Sequence, residues 1–254
     1  MREEQRRPVR PGRTGRGKII IAWATLALMV PGLSNALALK HRPSREARAH
    51  PEAVLIAAVN AREKRRAGGS GALIAPDAVL TAAHVADGFD HLEVLAPYAR
   101  GGPQRRKVQE VRLHPGHRRG LFENDLAVLL LEGDIDLGRA LPTLHDGDLY
   151  PINTPLVVVG RVDNGTVSDG KLFEAGVTLV AFPGNQNVYG GHPQTVEHGD
   201  SGGPVYVRDR EGTIAGVVSG YLGFTRGHVP TDLLVPVSRQ NRAWILQQLR
   251  PRRE

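Results

Sequence analysis

Short apolar runs separated by turn residues dominate the chain from Ala53 onward. The runs are four to eight residues long, many are rich in β-branched residues, and Gly, Pro, Asn or Asp stands in most of the gaps. This pattern is typical of strands, and no helix-length amphipathic segment recurs between them. It predicts an all-β fold with sandwich or barrel sheets rather than an α/β fold. The predicted strands lie at 53–59, 71–76, 78–83, 91–95, 126–131, 155–160, 176–182, 204–207 and 213–220.

Two segments depart from this pattern. Ser238 is a suitable N-cap, and apolar residues from Trp244 to Leu249 recur at helical spacing, which predicts a closing helix over 239–249. The stretch 132–154 is rich in Asp, Gly and Pro and has few long apolar runs, so we expect it to connect two halves of the body. The length of 254 residues suits one large domain or two small ones.

The positive charge of the chain is concentrated at its N-terminus. The formal net charge is +7, and residues 1–18 contain seven basic and two acidic side chains, a net of +5. Residues 19–38 carry no charge, which leaves +2 for residues 39–254. A nearly neutral body lacks the basic surface of a nucleic-acid-binding protein, so no nucleic-acid partner is expected.

Residues 1–38 have the organisation of a secretory signal peptide. The basic segment precedes an unbroken apolar run over 19–30, and an A-x-A cleavage site follows at 36–38. Cleavage there would leave Leu39 as the new N-terminus and would place the protein in the periplasm or outside a bacterial cell. The apolar run is too short to cross ~30 Å of hydrocarbon, but with the residues up to Ala38 it reaches about twenty, so an uncleaved membrane anchor is the alternative.

The absence of cysteine narrows the chemistry. Disulfides, thiolate catalysis and Cys-ligated zinc are excluded, so the body must be held together by core packing alone. No acidic cluster resembles a calcium-binding loop, and we predict no cofactor.

Three short motifs carry the candidate chemistry. Ser201 lies in Gly-Asp-Ser-Gly-Gly-Pro at 199–204, where glycines allow a tight turn that exposes the hydroxyl and aims backbone N–H groups at one point. His84 ends an apolar run in Thr-Ala-Ala-His, and Asp125 opens another in Asn-Asp-Leu-Ala. A serine nucleophile needs a base within hydrogen-bond reach, and histidine suits that role near neutral pH.

These motifs, in the order His, Asp, Ser, give the chain a family resemblance. The chain resembles the trypsin-like (chymotrypsin-fold) serine proteases, in their bacterial secreted form. The segments at 69–85, 124–131 and 198–206 are similar to the family's regions around its catalytic residues. Those at 216–220 and 235–245 resemble the strand beside the substrate and the closing strand and helix.

The resemblance covers roughly residues 51–249 and implies the fold. The family fold consists of two antiparallel six-stranded β-barrels, with the catalytic residues in the cleft between them and a helix at the C-terminus. We therefore expect residues 39–254 to form the protease domain, with an N-terminal barrel at about 51–135 and a C-terminal barrel at about 150–238.

The resemblance also implies roles for individual residues. His84 would be the general base and then the general acid, Asp125 would orient it, and Ser201 would be the nucleophile. The N–H groups of Gly199 and Ser201 would form the oxyanion hole. In the family, one strand pairs with the substrate, and it corresponds to Ser219, Gly220 and Tyr221. Its first residue, here Ser219, would also donate a hydrogen bond to the triad aspartate.

The specificity pocket departs from the usual pattern. Thr195, six residues before Ser201, stands at the pocket floor, where an aspartate would select Arg or Lys. Asp232 aligns with a small glycine of the pocket wall, and we hypothesise a weak preference for Arg or Lys through its carboxylate. The alternative is that Asp232 is a loop residue pointing to solvent. Tyr221 replaces a common glycine and would narrow the pocket.

The activation route also departs from the family pattern. In the family, a newly formed N-terminal amino group, in an Ile-Val-Gly-Gly-like sequence, pairs with the aspartate that corresponds to Asp200. This chain has no such sequence, but counting back from Pro51 by the family's usual distance leads close to Leu39. We hypothesise that removal of the signal peptide itself creates the amino group that pairs with Asp200.

The sequence therefore predicts a secreted serine endopeptidase that hydrolyses peptide bonds through a His-Asp-Ser triad and an acyl-enzyme. Its expected partners are protein or peptide substrates, with membrane contact only if the leader stays uncleaved, and we expect a monomer. The alternative is a catalytically weak, protease-like binding or regulatory module. The histidines without an obvious partner are assigned structural or solvated positions, namely His114, His117, His145, His192 and His228.

Overall fold

The structure is a computed structural model that describes residues 44–181, 188–210, 212–223 and 230–249. The predicted signal peptide, residues 1–38, lies outside the described residues. Within the described ranges, no helix is both long and apolar enough to cross a membrane.

The first half of the described chain forms a closed antiparallel barrel of six strands in the order β2-β3-β4-β7-β6-β5. Its core is filled by apolar side chains, and six of the eight residues of β2 and four of the six residues of β5 are buried. The elements are β1 (Arg45–Glu46), β2 (Ala53–Asn60), β3 (Arg65–Ala75), β4 (Ala78–Thr81), α1 (Ala83–Ala86), β5 (His91–Ala96), β6 (Gln104–Leu113), β7 (Ala127–Leu131) and β8 (Thr143–Leu144).

The second half forms another barrel of six antiparallel strands. The order β9-β12-β13-β16-β15-β14 closes because β14 and β12 both pair with β9, while β1 adds to β12 and β8 runs parallel to β15. The predicted fold of two six-stranded barrels with a C-terminal helix is thus confirmed. The elements are β9 (Pro155–Gly160), β10 (Val162–Asp163), β11 (Thr166–Val167), β12 (Phe173–Ala181), β13 (Tyr189–His192), β14 (Pro204–Val207), β15 (Thr213–Leu222), β16 (Thr231–Pro236) and α2 (Arg239–Gln248).

The apolar pattern did not predict strands β6 and β13. β6 consists mostly of charged and polar residues, and only its partly buried Val108 and Val111 pack against the core. β13 contains Gly190 and Gly191, which have low strand propensity but lie where side chains of the neighbouring strands approach closely. In both strands the pairing is decided by the neighbours in the barrel rather than by the strand's own composition.

The C-terminal helix joins the second barrel to the first. It begins as predicted at the N-cap Ser238, whose Oγ accepts a hydrogen bond from the N–H of Asn241 at 3.2 Å. Ile245 is fully buried in the core cluster that holds most of the first barrel's side chains. Arg112 of β6 also donates a hydrogen bond to the carbonyl of Gln248.

Candidate active site

His84 lies in α1, directly after strand β4 of the first barrel. Thr81, the last residue of β4, donates its hydroxyl hydrogen to the carbonyl of Ser70 at 2.7 Å, which fixes the start of the helix against β3. The His84 side chain is 43% exposed, whereas the other three residues of α1 are buried. A buried helical turn therefore presents the imidazole at the surface.

Asp125 lies just before β7 and is only 2% exposed. The preceding Asn124 has a left-handed backbone with φ of 54°, a conformation that Asn tolerates better than most residues. Asp125 Oδ1 accepts the backbone N–H of His84 at 2.9 Å. Its Oδ2 lies 2.7 Å from His84 Nδ1 and accepts the Ser219 hydroxyl at 2.5 Å.

These contacts fix the charge of Asp125 and the tautomer of His84. Burial by itself would raise the pKa of Asp125, but the hydrogen bonds and charge from His84 and the hydrogen bond from Ser219 hold it below its ordinary value. The ionised carboxylate can only accept hydrogen bonds, so His84 Nδ1 must carry the proton. The lone pair of a neutral His84 is then on Nε2, the nitrogen that does not contact Asp125.

The loop that carries Ser201 comes from the second barrel and is held against the first. Ser70 donates its N–H to the carbonyl of Ser201 at 2.8 Å and its hydroxyl to the carbonyl of Gly199 at 3.1 Å. Gly202 has a φ of 88°, and a Cβ at this position would lie 2.0 Å from Thr81 Oγ1. Only glycine fits so close an approach, which brings Ser201 next to the strand that leads into α1.

The turn around Ser201 also offers two backbone donors. Gly199 has a φ of 117°, which glycine alone adopts readily. The N–H of Gly202 is bonded to the Val218 carbonyl at 2.7 Å, and that of Gly203 to the Asp200 carbonyl at 2.9 Å. Across the described ranges, neither the N–H of Gly199 nor that of Ser201 has an acceptor. This is the arrangement that a developing oxyanion requires.

Ser219 owes its orientation to an irregularity of strand β15. The register with β16 shifts between Val218 and Gly220, and a β-bulge of this kind re-aims one side chain, here the hydroxyl that reaches Asp125. In the part of the chain that the structure describes, no atom lies within 4 Å of the place a Cβ of Gly220 would take. At Gly220 the face of β15 therefore borders open space, one residue from the Ser219 that contacts Asp125.

Thr195 and Asp232 lie together, as their predicted positions in one pocket require. Asp232 belongs to β16 and pairs with Gly191 and Tyr221 in the neighbouring strands. Its Oδ1 accepts the N–H groups of Thr195 at 2.9 Å and Val196 at 3.0 Å. Its Oδ2 accepts the Thr195 hydroxyl at 2.9 Å and, more weakly, the Thr195 N–H at 3.2 Å.

The alternative in which Asp232 is a solvent-facing loop residue is wrong. Asp232 lies in β16, between β13 and β15, and is 0% exposed, with its carboxylate bonded to Thr195 and Val196. Burial raises its pKa to about 7, against the lowering effect of the hydrogen bonds from Thr195 and Val196. Its charge therefore changes near neutral pH, and whether it selects basic substrates stays a prediction.

Tyr221 is the cross-strand neighbour of Asp232. It pairs directly with Asp232, so the two side chains project from the same face of the sheet. Its ring packs against the core of the second barrel and meets the His198 ring edge to face, with centroids 5.6 Å apart. Two aromatic rings thus lie against each other, one of them on the residue that pairs with Asp232.

Asp200 is buried below the Ser201 turn. Its Oδ1 accepts the N–H of Val162 and its Oδ2 that of Glu197, both at 2.9 Å. Burial outweighs these bonds and raises the pKa of Asp200 to about 6. A cavity whose lining includes Ser44, the first described residue, opens beside this carboxylate. Leu39, its predicted partner, lies outside the described residues.

One histidine near the site was missed by the reasoning from sequence. His117, assigned there to a position without a partner, lies with Nδ1 3.7 Å from Asp125 Oδ1. The only local signal was its position eight residues before Asp125. His228 lies outside the described residues. Within the described ranges, no group of three or more His, Asp or Glu side chains could hold a metal ion.

The chain is similar to several known proteins. A family model described as Trypsin matches residues 44–245. A protein of Arabidopsis thaliana provisionally named protease Do-like 12, mitochondrial, is 30% identical over 184 residues, which cover 66% of this chain and 32% of that protein. Trypsin epsilon of Drosophila erecta is 26% identical over 180 residues, which cover 59% of this chain and 66% of that protein.

The chain thus matches about a third of the length of the first relative and just under two thirds of the second. A solved structure named "Structure of GrC" superposes with a TM-score of 0.65 at 21% identity, covering 81% of this chain and 98% of that one. At that identity the superposition supports the two-barrel fold and nothing finer.

Proposed function

The chain belongs to the trypsin family, and from this premise we propose that it is a serine endopeptidase whose catalytic triad is His84, Asp125 and Ser201. The observation that carries the proposal is the buried carboxylate of Asp125, which holds both the backbone and the ring of His84 beside the Ser201 turn. A carboxylate that is charged, buried and bonded to a half-exposed histidine is an arrangement that catalysis uses and packing alone does not need.

The reaction then proceeds by acyl transfer. His84 Nε2 accepts the hydroxyl proton of Ser201 while Oγ attacks the carbonyl carbon of the scissile peptide bond. Asp125 stabilises the imidazolium that forms. The tetrahedral intermediate collapses when the imidazolium gives the proton to the leaving amine, which breaks the C–N bond and leaves an acyl-enzyme. Water, activated by His84 in the same way, releases the acid product and restores Ser201.

The oxyanion of each tetrahedral intermediate is bound by the N–H groups of Gly199 and Ser201. Their turn is fixed by the bonds from Ser70 to the Gly199 and Ser201 carbonyls, so the donors need no rearrangement as charge develops. Removing one such donor typically costs about 3–4 kcal/mol of transition-state stabilisation.

The test is labelling with a fluorophosphonate probe together with turnover of a denatured protein substrate. The parent chain is expected to react and to hydrolyse, and Ser201→Ala is expected to do neither. Ser168→Ala, which removes a half-buried serine hydroxyl that accepts the N–H groups of Gly170 and Lys171, is the matched control and should behave as the parent. Labelling that survives in Ser201→Ala would contradict the proposed nucleophile.

A catalytically weak binding module is the second candidate, and the ring pair of Tyr221 and His198 is the observation that favours it. In this candidate the two rings keep extended substrates away from a competent serine. Probe labelling without turnover of any peptide would support this candidate. Turnover restored by Tyr221→Gly would identify the ring as the cause.

For specificity we propose a weak preference for Arg or Lys on the acyl side of the cleaved bond. The support is the position of Asp232 beside Thr195. Because the pKa of Asp232 is raised to about 7, the carboxylate is mostly neutral below that pH and mostly charged above it. Cleavage of matched Arg and Leu peptides should therefore differ more at pH 8.5 than at pH 6. Equal Arg-to-Leu ratios at both pH values would remove Asp232 from the specificity site.

We further propose that the protein is of the bacterial secreted type and is exported by cleavage after Ala38. The support is the basic segment 1–18, the apolar run 19–30 and the A-x-A site. N-terminal sequencing of protein recovered from the periplasm or medium of an expressing bacterium should begin at Leu39. Full-length protein in the membrane fraction would instead indicate an anchor.

The amino group freed at Leu39 is proposed to pair with Asp200. Ser44 lines the cavity beside Asp200, and the five residues that precede it, 39–43, can span up to about 17 Å. An incoming ammonium group would stabilise a carboxylate whose pKa burial has raised to about 6. Asp200→Asn should then lose most activity while remaining folded, and a fully active variant would exclude the pairing.

A further inference from the structure

His117 is a buried histidine to which the proposed mechanism gives no role. It follows a tight turn after β6, in which its N–H bonds to the carbonyl of His114 at 2.9 Å. Its side chain is only 6% exposed. Both ring nitrogens are buried without a hydrogen-bond partner among the described residues. Polar atoms left in this state are costly to bury, so the position calls for an explanation.

The ring lies between two carboxylates that both belong to the surroundings of His84. Nδ1 is 3.7 Å from Asp125 Oδ1, and Nε2 is 3.7 Å from Asp87 Oδ2. Asp87 is the C-cap of α1, the helix that carries His84, and its N–H bonds to the Ala83 carbonyl. His117 thus approaches the triad aspartate at the oxygen that does not contact the His84 ring.

We propose that His117 is a positioning residue for the proposed reaction: a second histidine on Asp125, whose positive charge competes with that of His84 for the same carboxylate. The inference rests on the proposed function of the site. When His117 gains a proton, both ring nitrogens become donors, and small movements would close the gaps of 3.7 Å to hydrogen bonds. The positive charge of His117 then offsets part of the negative charge of Asp125, so Asp125 stabilises the His84 imidazolium less.

Charged and titratable groups surround the His117 ring. Asp87 stays ionised because the hydrogen bond from Arg119 and, to a smaller extent, its interactions with Arg119 and His117 hold its pKa below the ordinary value. Burial lowers the pKa of the neighbouring His114, and the charge of His117 lowers it further. The groups that face the His117 ring are the carboxylates of Asp87 and Asp125, the guanidinium of Arg119, the imidazole of His114 and, through Asp125, that of His84.

The proposal predicts the direction in which the pH profile moves when His117 is replaced. In His117→Phe the ring is retained without its charge, so Asp125 stabilises the His84 imidazolium without competition. The acid limb of kcat/KM should move to higher pH by about half a unit, with kcat at high pH changed much less. His117→Asn, which keeps an N–H donor but cannot be charged, should give the same shift.

The control is His91→Gln, because His91 is an exposed histidine at the start of β5, and its acid limb should coincide with that of the parent. Melting temperatures of all variants identify any that fail to fold. A purely structural role of His117 would lower kcat/KM by the same factor at every pH. An acid limb that does not move in folded His117→Phe and His117→Asn overturns the inference.

A second measurement decides the question even if the proposed turnover fails. The downfield proton signal of the His84 Nδ1–H, which bonds to Asp125, is followed by NMR in the Ser201→Ala background as pH is lowered. Its titration midpoint should rise on His117→Phe by the same half unit or so. An unchanged midpoint refutes the role of His117, whereas absence of peptide hydrolysis in the parent refutes only the proposed activity.

Discussion

Asp125 and Asp232 are two aspartates that are almost completely buried, at 2% and 0% exposure, yet their pKa values move in opposite directions. For both, burial is the largest influence and favours the neutral acid. Asp125 contacts a histidine and a hydroxyl, and these hold its pKa below the ordinary value. Asp232 accepts hydrogen bonds from neutral groups, and its pKa rises to about 7.

The difference teaches that burial alone does not determine the charge of a carboxylate. A partner that can become a cation compensates the loss of hydration, whereas backbone N–H groups and a threonine hydroxyl do so only in part. Asp125 is therefore suited to a permanent charge beside His84. Asp232 is suited to holding the segment of Thr195 and Val196 in place, with a charge that depends on pH.

The largest expected effect comes from removing the charge of Asp125. In Asp125→Asn the amide cannot hold His84 in the tautomer with its proton on Nδ1, so Nε2 is no longer available as a base. We expect kcat at neutral pH to fall about 10⁴-fold, the loss that this family's triad shows for the same change. Steady-state kinetics on a peptide substrate measures it, and a loss smaller than tenfold would remove Asp125 from the triad.

An intermediate effect is expected when Asp125 loses its neutral partner. Ser219→Ala removes the hydroxyl that bonds Asp125 Oδ2 at 2.5 Å and leaves the His84 contact in place. The pKa of Asp125 should rise towards that of a less well satisfied buried acid, and kcat/KM should fall roughly tenfold. Ser219→Thr, which keeps a hydroxyl, is the matched control. Equal losses in both variants would point to disturbed packing of β15 rather than to the hydrogen bond.

The smallest expected effect concerns stability and comes from Asp232. Its pKa is about 7 in the folded protein and near 3.8 in an unfolded chain, so the folded state holds an extra proton between these values. Stability of the parent should therefore decrease as pH rises from about 4 to about 7. Asp232→Asn has no such proton, and its melting temperature relative to the parent should be higher at pH 8 than at pH 5 by a few °C.

Thermal melts of both proteins at the two pH values measure this difference, with Asp146→Asn as the exposed control. The same difference in melting temperature at pH 5 and pH 8 would mean that Asp232 keeps its charge throughout. In that case Asp125 and Asp232 would differ in their hydrogen-bond partners but not in their protonation state.

Much of the fold could be predicted from the sequence because inward-facing strands leave an apolar pattern. The apolar pattern did not predict strand β6, because one face of this strand is exposed to solvent and its residues are mostly charged or polar. The candidate triad could be predicted because short motifs surround each member. The left-handed turns at Gly199 and Gly202 and the left-handed Asn124 show why those residue types stand there.

The surroundings of the triad could not be predicted in the same way. No sequence motif surrounds His117. Its proximity to Asp87 depends on how the loop after β6 folds back on α1. The buried carboxylate of Asp232 contacts Thr195 and Val196, which lie 37 and 36 residues earlier in the chain.

The sequence by itself therefore determined the residue types that the chemistry needs, their order, and the glycines that permit the turn at Ser201. The tertiary structure alone decided which charges meet. Asp125 reaches Ser219, 94 residues away, and Asp232 reaches Thr195, 37 residues away, through strand pairings that no local pattern records. The physical reason is that hydrogen bonding and hydration around a carboxylate are set by its neighbours in space, and these neighbours are set by the register of the barrels.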